Sequence, residues 1–424
     1  MQSCLSEQEV RAAQLTMAIV RRVVESADED RQPSTDDWTS AQAAVSVLVP
    51  GKLRAALVHV LSSARKPPCA VGDLACTLVS YGEILEYRGE RALALDAYKN
   101  AVAVASTDDK QRGLADAYLR IGICEKYFGK YAAAAAALKQ ATVAAVNTGD
   151  EYVRLRICIS IADIQFCQGR AKEAITLLNR TIVVANTHEW SDLAIKARHD
   201  RGVIWLRENE PEFAAADLLA ALAGYGSRMM RERALSDVAL ALADFGELTV
   251  ALEIFRALYE RGLAYDTRCA AAINLFDLSD RLGHTQSVES WRRLIVESRL
   301  SAAHRAQFLW RVGESFERRG EPEEARVAYE GSLSLARESE LQSVAEEVSR
   351  KLSGLGGPPH PTRVPSQETV AQLVTTARKY ARSLVDVNEG EMPDVAVRCA
   401  CCGAETSRPH RSTTATGDIA GQRT

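Results

Sequence analysis

The sequence predicts an all-α chain, an α-solenoid of antiparallel helix pairs with capping helices at its ends. Three observations lead there. An anchor position recurs seven times between residues 75 and 338, at Gly82, Gly122, Ala162, Gly202, Ala239, Phe276 and Gly313, in steps of 40, 40, 40, 37, 37 and 37 residues. All but Phe276 are small. Seven residues after each anchor stands a turn residue: Gly89, Gly129, Gly169, Asn209, Gly246, Gly283 and Gly320. An Ala-rich amphipathic segment follows each turn. A fixed period of this length marks stacked units that bury their apolar faces only against their neighbours. Composition agrees: 47% of the chain is hydrophobic but only 6% aromatic, so Ala and Leu do most of the packing and helices approach closely.

The elements follow in order. Residues 6–27 read as a helix opened by a capping box, Ser6 with Glu9, with Val10, Ala13, Met17, Val20 and Val23 on its apolar face. Asp28 to Asp37, with Pro33, reads as a loop. Residues 39–49 and 52–64 form a helix pair broken by Pro50-Gly51. Together residues 1–66 make an N-terminal helical cap for the array at 74–354. In the first unit Leu74, Leu78, Tyr81 and Leu85 share one helix face, and Ala94, Tyr98 and Ala101 line the next helix at i, i+4 and i+7. Pro211 and Pro322 fall in the first turn of second helices, where a missing N–H is harmless. The step from 40 to 37 residues, a little under one helical turn, predicts a change of superhelical twist near residues 209–240. The sixth unit is irregular, with Phe276 at its anchor and Val288 for the usual Ala: it is either splayed, or a bulky contact fills a gap. Residues 340–353 read as a closing helix.

Beyond the array, Pro358, Pro359, Pro361 and Pro365 stiffen a linker at 355–366. Residues 367–387 hold an amphipathic helix carrying Val370, Leu373, Val374, Ala377, Tyr380, Ala381 and Leu384, which either folds back on the solenoid or serves docking and self-association. Residues 388–424 read as a disordered tail. Within it Cys399 and Cys402 have the gap that lets two thiolates share a tetrahedral metal, but with His410 and Cys401 nearby a zinc site would be only partial.

The formal net charge is −4, and basic residues are dispersed, the densest group in the array being Arg228, Arg231 and Arg233. This argues against a nucleic-acid partner, which needs a concentrated basic face. No basic-then-apolar leader opens the chain and no uncharged apolar run approaches the ~18 residues of a membrane span, so a cytoplasmic chain without a membrane partner is expected. Cys76, Cys124, Cys158, Cys167 and Cys269 fall in helices without framework spacing and read as reduced thiols. No phosphate-binding loop, zinc-protease helix or nucleophile elbow is present. His188-Glu189 and His199-Asp200 are neighbours in sequence, and neighbours on a helix point apart. The expectation is a non-enzyme without a cofactor.

Leu78, Gly82 and Leu85 followed by Gly89, Ala94, Tyr98 and Ala101 resemble the tetratricopeptide repeat, over about 280 residues and with units longer than the family's usual one. The resemblance implies a right-handed superhelix whose concave groove, lined by first helices, receives a peptide or an extended protein segment. Mapped unit by unit, the groove candidates are Glu83 and Glu86, then Asp116 and Lys126, then Arg156 and Asp163. Lys196 and His199 follow, then Arg233, then Asp277 and Asp280, and finally Trp310, Glu314 and Glu317. The family's clamp for a terminal carboxylate is not matched, because Val79, Glu83, Leu119 and Ile123 stand at its positions. The expected function is a scaffold or adaptor for an unidentified protein or peptide. The alternative is a peptide-sensing regulator whose array changes shape on binding.

Overall fold

A computed structural model of the chain describes residues 5–25, 32–65, 71–108, 111–298, 300–339, 341–354 and 363–384. Among them are nineteen helices and no strand. The expected all-α solenoid of helix pairs is what forms.

The chain opens with α1 (Glu7–Glu25), α2 (Thr35–Ser46) and α3 (Lys52–Ala64). Ser6 and Glu9 make the expected capping box, their side chains each meeting the other's backbone N–H. The sequence reading placed the start of α2 too late. Ser34 and Asp37 form a second capping box, which stabilises the first turn four residues earlier than the apolar pattern suggested. Helix α1 packs on α2, α3 and also α5, so the cap wraps the first unit instead of merely covering its end.

Seven helix pairs follow. They are α4 (Val71–Tyr87) with α5 (Arg91–Ala105), α6 (Leu114–Tyr127) with α7 (Tyr131–Thr148), and α8 (Glu151–Cys167) with α9 (Ala171–Thr187). Next come α10 (Ser191–Arg207) with α11 (Pro211–Gly224), α12 (Arg228–Asp244) with α13 (Leu248–Arg261), and α14 (Tyr265–Arg281) with α15 (Thr285–Val296). The last pair is α16 (Ala302–Arg318) with α17 (Pro322–Glu338). Each helix packs on the next in sequence except α15 on α16, and each first helix also packs on the first helix of the following unit, from α4 through α16. That double layer is the solenoid: first helices form one wall and second helices the other. Helix α18 (Gln342–Ser353) continues the first-helix layer beyond the last pair.

The periodic residues do the work their spacing implied. All seven turn positions have positive φ, including Asn209 at 59°, the one side chain among them. Asn tolerates the left-handed region better than most residues, so it can stand where the other units use Gly. At three anchors a side chain would collide with the residue sixteen positions on, and at Gly202 it would crowd it. A Cβ on Gly82 would lie 2.3 Å from the Tyr98 ring, on Gly122 2.7 Å from Leu138, on Gly202 3.1 Å from Leu218, and on Gly313 2.5 Å from the Tyr329 ring. The missing Cβ is what lets the two helices of a unit cross in contact.

The shorter period has a specific origin. First helices stay at 17 residues from α8 to α16, but the second helices shorten from 17 residues in α9 to 14 in α11 and 14 in α13. In the sixth unit α15 has only 12 residues. There Phe276 is buried and meets Phe308 edge to face at 5.3 Å, so a bulky contact fills the gap that a small anchor would leave.

Helix α19 (Gln367–Ser383) lies across α11, α12 and α13, over the second helices that are one turn short. Leu373, Ala377, Ala381 and Leu384 are buried there with Leu218, Leu222, Leu258 and their neighbours. The Glu212 carboxylate accepts from the Ser366 N–H and the Thr369 hydroxyl, and Arg378 pairs with Glu253 at 3.0 Å. The apolar face held open for docking or self-association is therefore used within the chain: the helix folds back. Cys399, Cys402 and His410 lie outside the described residues.

Candidate functional site

First helices at a constant stagger must curve, and here the curvature brings the two ends of the array together. Arg91, at the start of α5, forms an ion pair with Asp266 of α14 at 2.5 Å. Its guanidinium lies 3.5 Å from the centre of the Tyr127 ring, and the Tyr127 hydroxyl is 3.3 Å from Ser301 Oγ. Ser301 in turn meets His304 Nδ1 at 2.9 Å, and the Gly89 turn sits against the Tyr265 ring. Units one and two thus touch units six and seven, and the concave face becomes the wall of a central cavity of about 1730 Å³. It is lined by first helices α4 to α14, with α3 of the cap and His304 of α16 completing the wall.

Charge on this wall is arranged in rows, because equivalent positions on successive first helices lie side by side. Six residues before each anchor stand Arg156, Lys196 and Arg233, on α8, α10 and α12. Two residues before each anchor stand Arg120, Ser160, Asp200 and Asp237. Arg120 reaches across to Glu83 and Glu86, Arg156 to Asp116, and Lys126 to Asp163, each pair joining neighbouring units. Lys196 pairs with Asp200 one turn on. Burial alone would lower the Lys126 ammonium, but the Asp163 carboxylate outweighs it and holds Lys126 above its ordinary value. Burial also pushes the Asp163 carboxyl up, and Lys126, then Lys196 and Arg233, overcome it and hold it low.

Seven of the groove candidates are brought together on the cavity wall: Glu83, Glu86, Lys126, Arg156, Asp163, Lys196 and Arg233. Asp116 stands at its edge through Arg156. His199 lies behind the wall, buried, with Nδ1 3.0 Å from the Tyr225 hydroxyl and Nε2 2.8 Å from Asp237. Its sequence neighbour Asp200 points elsewhere, to Lys196.

The remaining five candidates do not face the cavity. Asp277 is buried and Asp280 half-buried against Arg318, and Asp280 also accepts from Ser315. Glu314 is held between Arg311 and Lys351, and Trp310 packs beside Tyr329 and Val348 with Arg311 over its ring. Glu317 accepts from the buried Tyr329 hydroxyl at 2.7 Å, as Glu86 does from Tyr98 at 2.8 Å in the first unit. The superhelix closes through the first turns of α14 and α16, and these positions, further along the same two helices, pack on each other and on α18. Conversely, Arg120, Asp200 and Asp237 were missed, although the same anchor arithmetic reaches them. Arg91 and Asp266 carried no such signal, being 175 residues apart with no shared pattern.

The Arg228, Arg231 and Arg233 cluster splits in three directions. Arg228 pairs with buried Glu232, Arg231 donates to the Gly226 carbonyl, and only Arg233 lines the cavity. Among the described residues no helix is long and apolar enough to cross a membrane. Among them, too, no group of three or more metal-ligating side chains is found.

No family model matches the chain. No curated protein matches it either. Several solved structures do. A tetratricopeptide repeat protein from Parabacteroides merdae is 14% identical, covers 71% of this chain and 97% of its own, and superposes with a TM-score of 0.37. The apo form of RapI is 16% identical over 82% of this chain and 99% of its own, with a TM-score of 0.43. A Rap protein complexed with competence and sporulation factor is 12% identical over 87% and 100%, with a TM-score of 0.44. None superposes well enough for a ligand or partner to be carried over. On its own helix-pair order, turn conformations and anchor packing, the chain is similar to tetratricopeptide-repeat proteins across its seven units.

Proposed function

We propose that the chain is a non-enzymatic binding scaffold that holds an extended segment of a protein or peptide in its central cavity. One observation carries this reading: the concave wall bounds a half-open cavity of about 1730 Å³ whose apolar surface is crossed by rows of charged and polar side chains. Sites for drug-sized molecules are about 300–1,000 Å³, so this volume suits a longer chain. The helix-pair architecture supplies such a surface because most lining side chains project from packed helices.

The test is site-directed photo-crosslinking to a displayed random-peptide library. A photoreactive residue at Ser160, on the cavity wall, is compared with one at Val183, 64% exposed on the second-helix layer. Crosslinks at position 160 alone are expected. Equal labelling at both positions, or none at 160, rejects the cavity as the binding surface.

A second reading, a sensor whose array changes shape on binding, is favoured by the clasp. Arg91 and Asp266 line the same cavity that they close, so an occupant touches the closure directly.

A further inference from the structure

The geometry points to an acidic extended peptide as the occupant, read by the row Arg156, Lys196 and Arg233. This inference rests on the cavity reading above and names the chemistry of its ligand. Three observations support it.

The first is the ledger of partners on the wall. Among the described residues each lining carboxylate has a partner: Asp73 with Arg112, Glu83 and Glu86 with Arg120, and Asp163 with Lys126. Likewise Asp192 accepts from Tyr152, Asp200 from Lys196, Asp237 meets His199, and Asp266 meets Arg91. Arg233 is different. It is exposed on the wall, and among the described residues it has neither a hydrogen bond nor an ion pair. Its nearest carboxylate in sequence on the helix face, Asp237, is turned to His199. Arg233 therefore stands on the wall without the hydrogen-bonded partner that each lining carboxylate has, while Asp192 and Asp237 meet only a hydroxyl and an imidazole.

The second is spacing. Arg156, Lys196 and Arg233 occupy the same position on three consecutive first helices, and the row ends at Asp116 on one side and Ala270 on the other. Packed helices lie about 8–10 Å apart. A chain in the polyproline-II form rises about 3.1 Å per residue with about three residues per turn, so a peptide crossing the row turns every third side chain to the same face, one per cation. The row therefore matches Asp or Glu at i, i+3 and i+6. Arg233 is the anchor, and Arg156 and Lys196 share their charge with Asp116 and Asp200.

The third is the neighbourhood of the anchor. Met229 and Met230, one turn before Arg233, are half-buried on the same wall. Flexible, polarizable methionines accept varied apolar shapes, so an apolar residue beside the anchored acid fits here.

The experiment uses the full chain and two capped synthetic peptides, one with Glu at i, i+3 and i+6 separated by apolar and small residues, the other with Gln at those places. Fluorescence anisotropy is expected to show the Glu peptide binding about tenfold more tightly, with the advantage shrinking as salt is raised. Arg233→Gln removes most of the difference and Arg233→Lys keeps it, while the circular dichroism melt of both variants matches the parent. Equal binding of the two peptides overturns the inference. Selection from a random-peptide library separates the two readings. Cavity binders without acids at three-residue intervals overturn the acidic reading and leave peptide binding standing. A library that yields no binder at all overturns both.

Discussion

Replacing Arg91 by Ala should open the superhelix. The clasp is the direct contact between the first two units and the last two, and Arg91 makes two of its interactions. The Arg91–Asp266 pair leaves only 19% and 28% of the side chains exposed. It therefore lies between an exposed pair, worth about 0.2–1 kcal/mol, and a buried one whose loss costs about 3–5 kcal/mol. The stack on Tyr127 adds about 0.5–1 kcal/mol. Burial disfavours the Arg91 charge, and Asp266, then Tyr127, more than restore it, so the guanidinium stays charged and its loss removes a matched group. Together the variant should take about 2 kcal/mol from closure, a shift of about thirtyfold in the ratio of closed to open forms. Helix pairs elsewhere contact only their neighbours, so most of the array should keep its stability. Small-angle scattering should show a longer maximum dimension for Arg91→Ala and Asp266→Asn, with Lys99→Ala, an exposed change on the same helix, as control. Hydrogen exchange should quicken at residues 87–91 and 262–268. Scattering curves and exchange that match the parent in both variants would show that closure does not depend on the clasp.

Further expectations rest on other contacts. Gly82→Ala and Gly313→Ala each press a methyl into a buried, hydrogen-bonded tyrosine ring, and each should cost about 1–3 kcal/mol in denaturant unfolding. Because the two sites lie in the first and last units, the double variant should show the sum, and a value well below it would mean that the units are coupled. Leu373→Ala removes a fully buried side chain from the seat of α19 and should cost about 2–5 kcal/mol locally. It should appear as faster exchange of the amides at residues 373–384, and unchanged exchange there would refute the docking of this helix. Burial holds His304 below its ordinary value of about 6.5, with Asp266 opposing that and Arg91 adding to it. The folded state therefore binds fewer protons than the unfolded one. The contribution of His304 to stability is complete above pH 6.5 and is lost as the pH falls from there through the folded value. His304→Gln should flatten the acid side of the stability profile, and an unchanged slope below pH 6.5 would place that dependence elsewhere.

How much of this was legible depends on the range of the interaction. The helix pairs, the left-handed turns and the anchor contacts repeat within one unit, so the same local physics is written seven times and can be read by subtraction. Asn209 illustrates the strength of that signal: it was identified as a turn by phase alone and has φ 59°. The rows on the concave wall were half legible. Arg156, Lys196 and Arg233 are seven helices' worth of arithmetic applied at one offset, and Arg120, Asp200 and Asp237 needed only a second offset. What phase could not supply is where a superhelix stops presenting its inner face. Glu86 and Glu317 stand at the same offset from Gly82 and Gly313 and bond the same tyrosine position. Yet Glu86 borders the cavity and Glu317 does not, because closure depends on accumulated curvature and no single unit encodes that sum. The shortening of α11 and α13 is the local event with a long-range result. It removes most of a turn from each second helix, leaves room for α19, and falls between the two ends that the clasp joins. The change of three residues in the period thus marks the stretch of the array that a later segment of the chain covers.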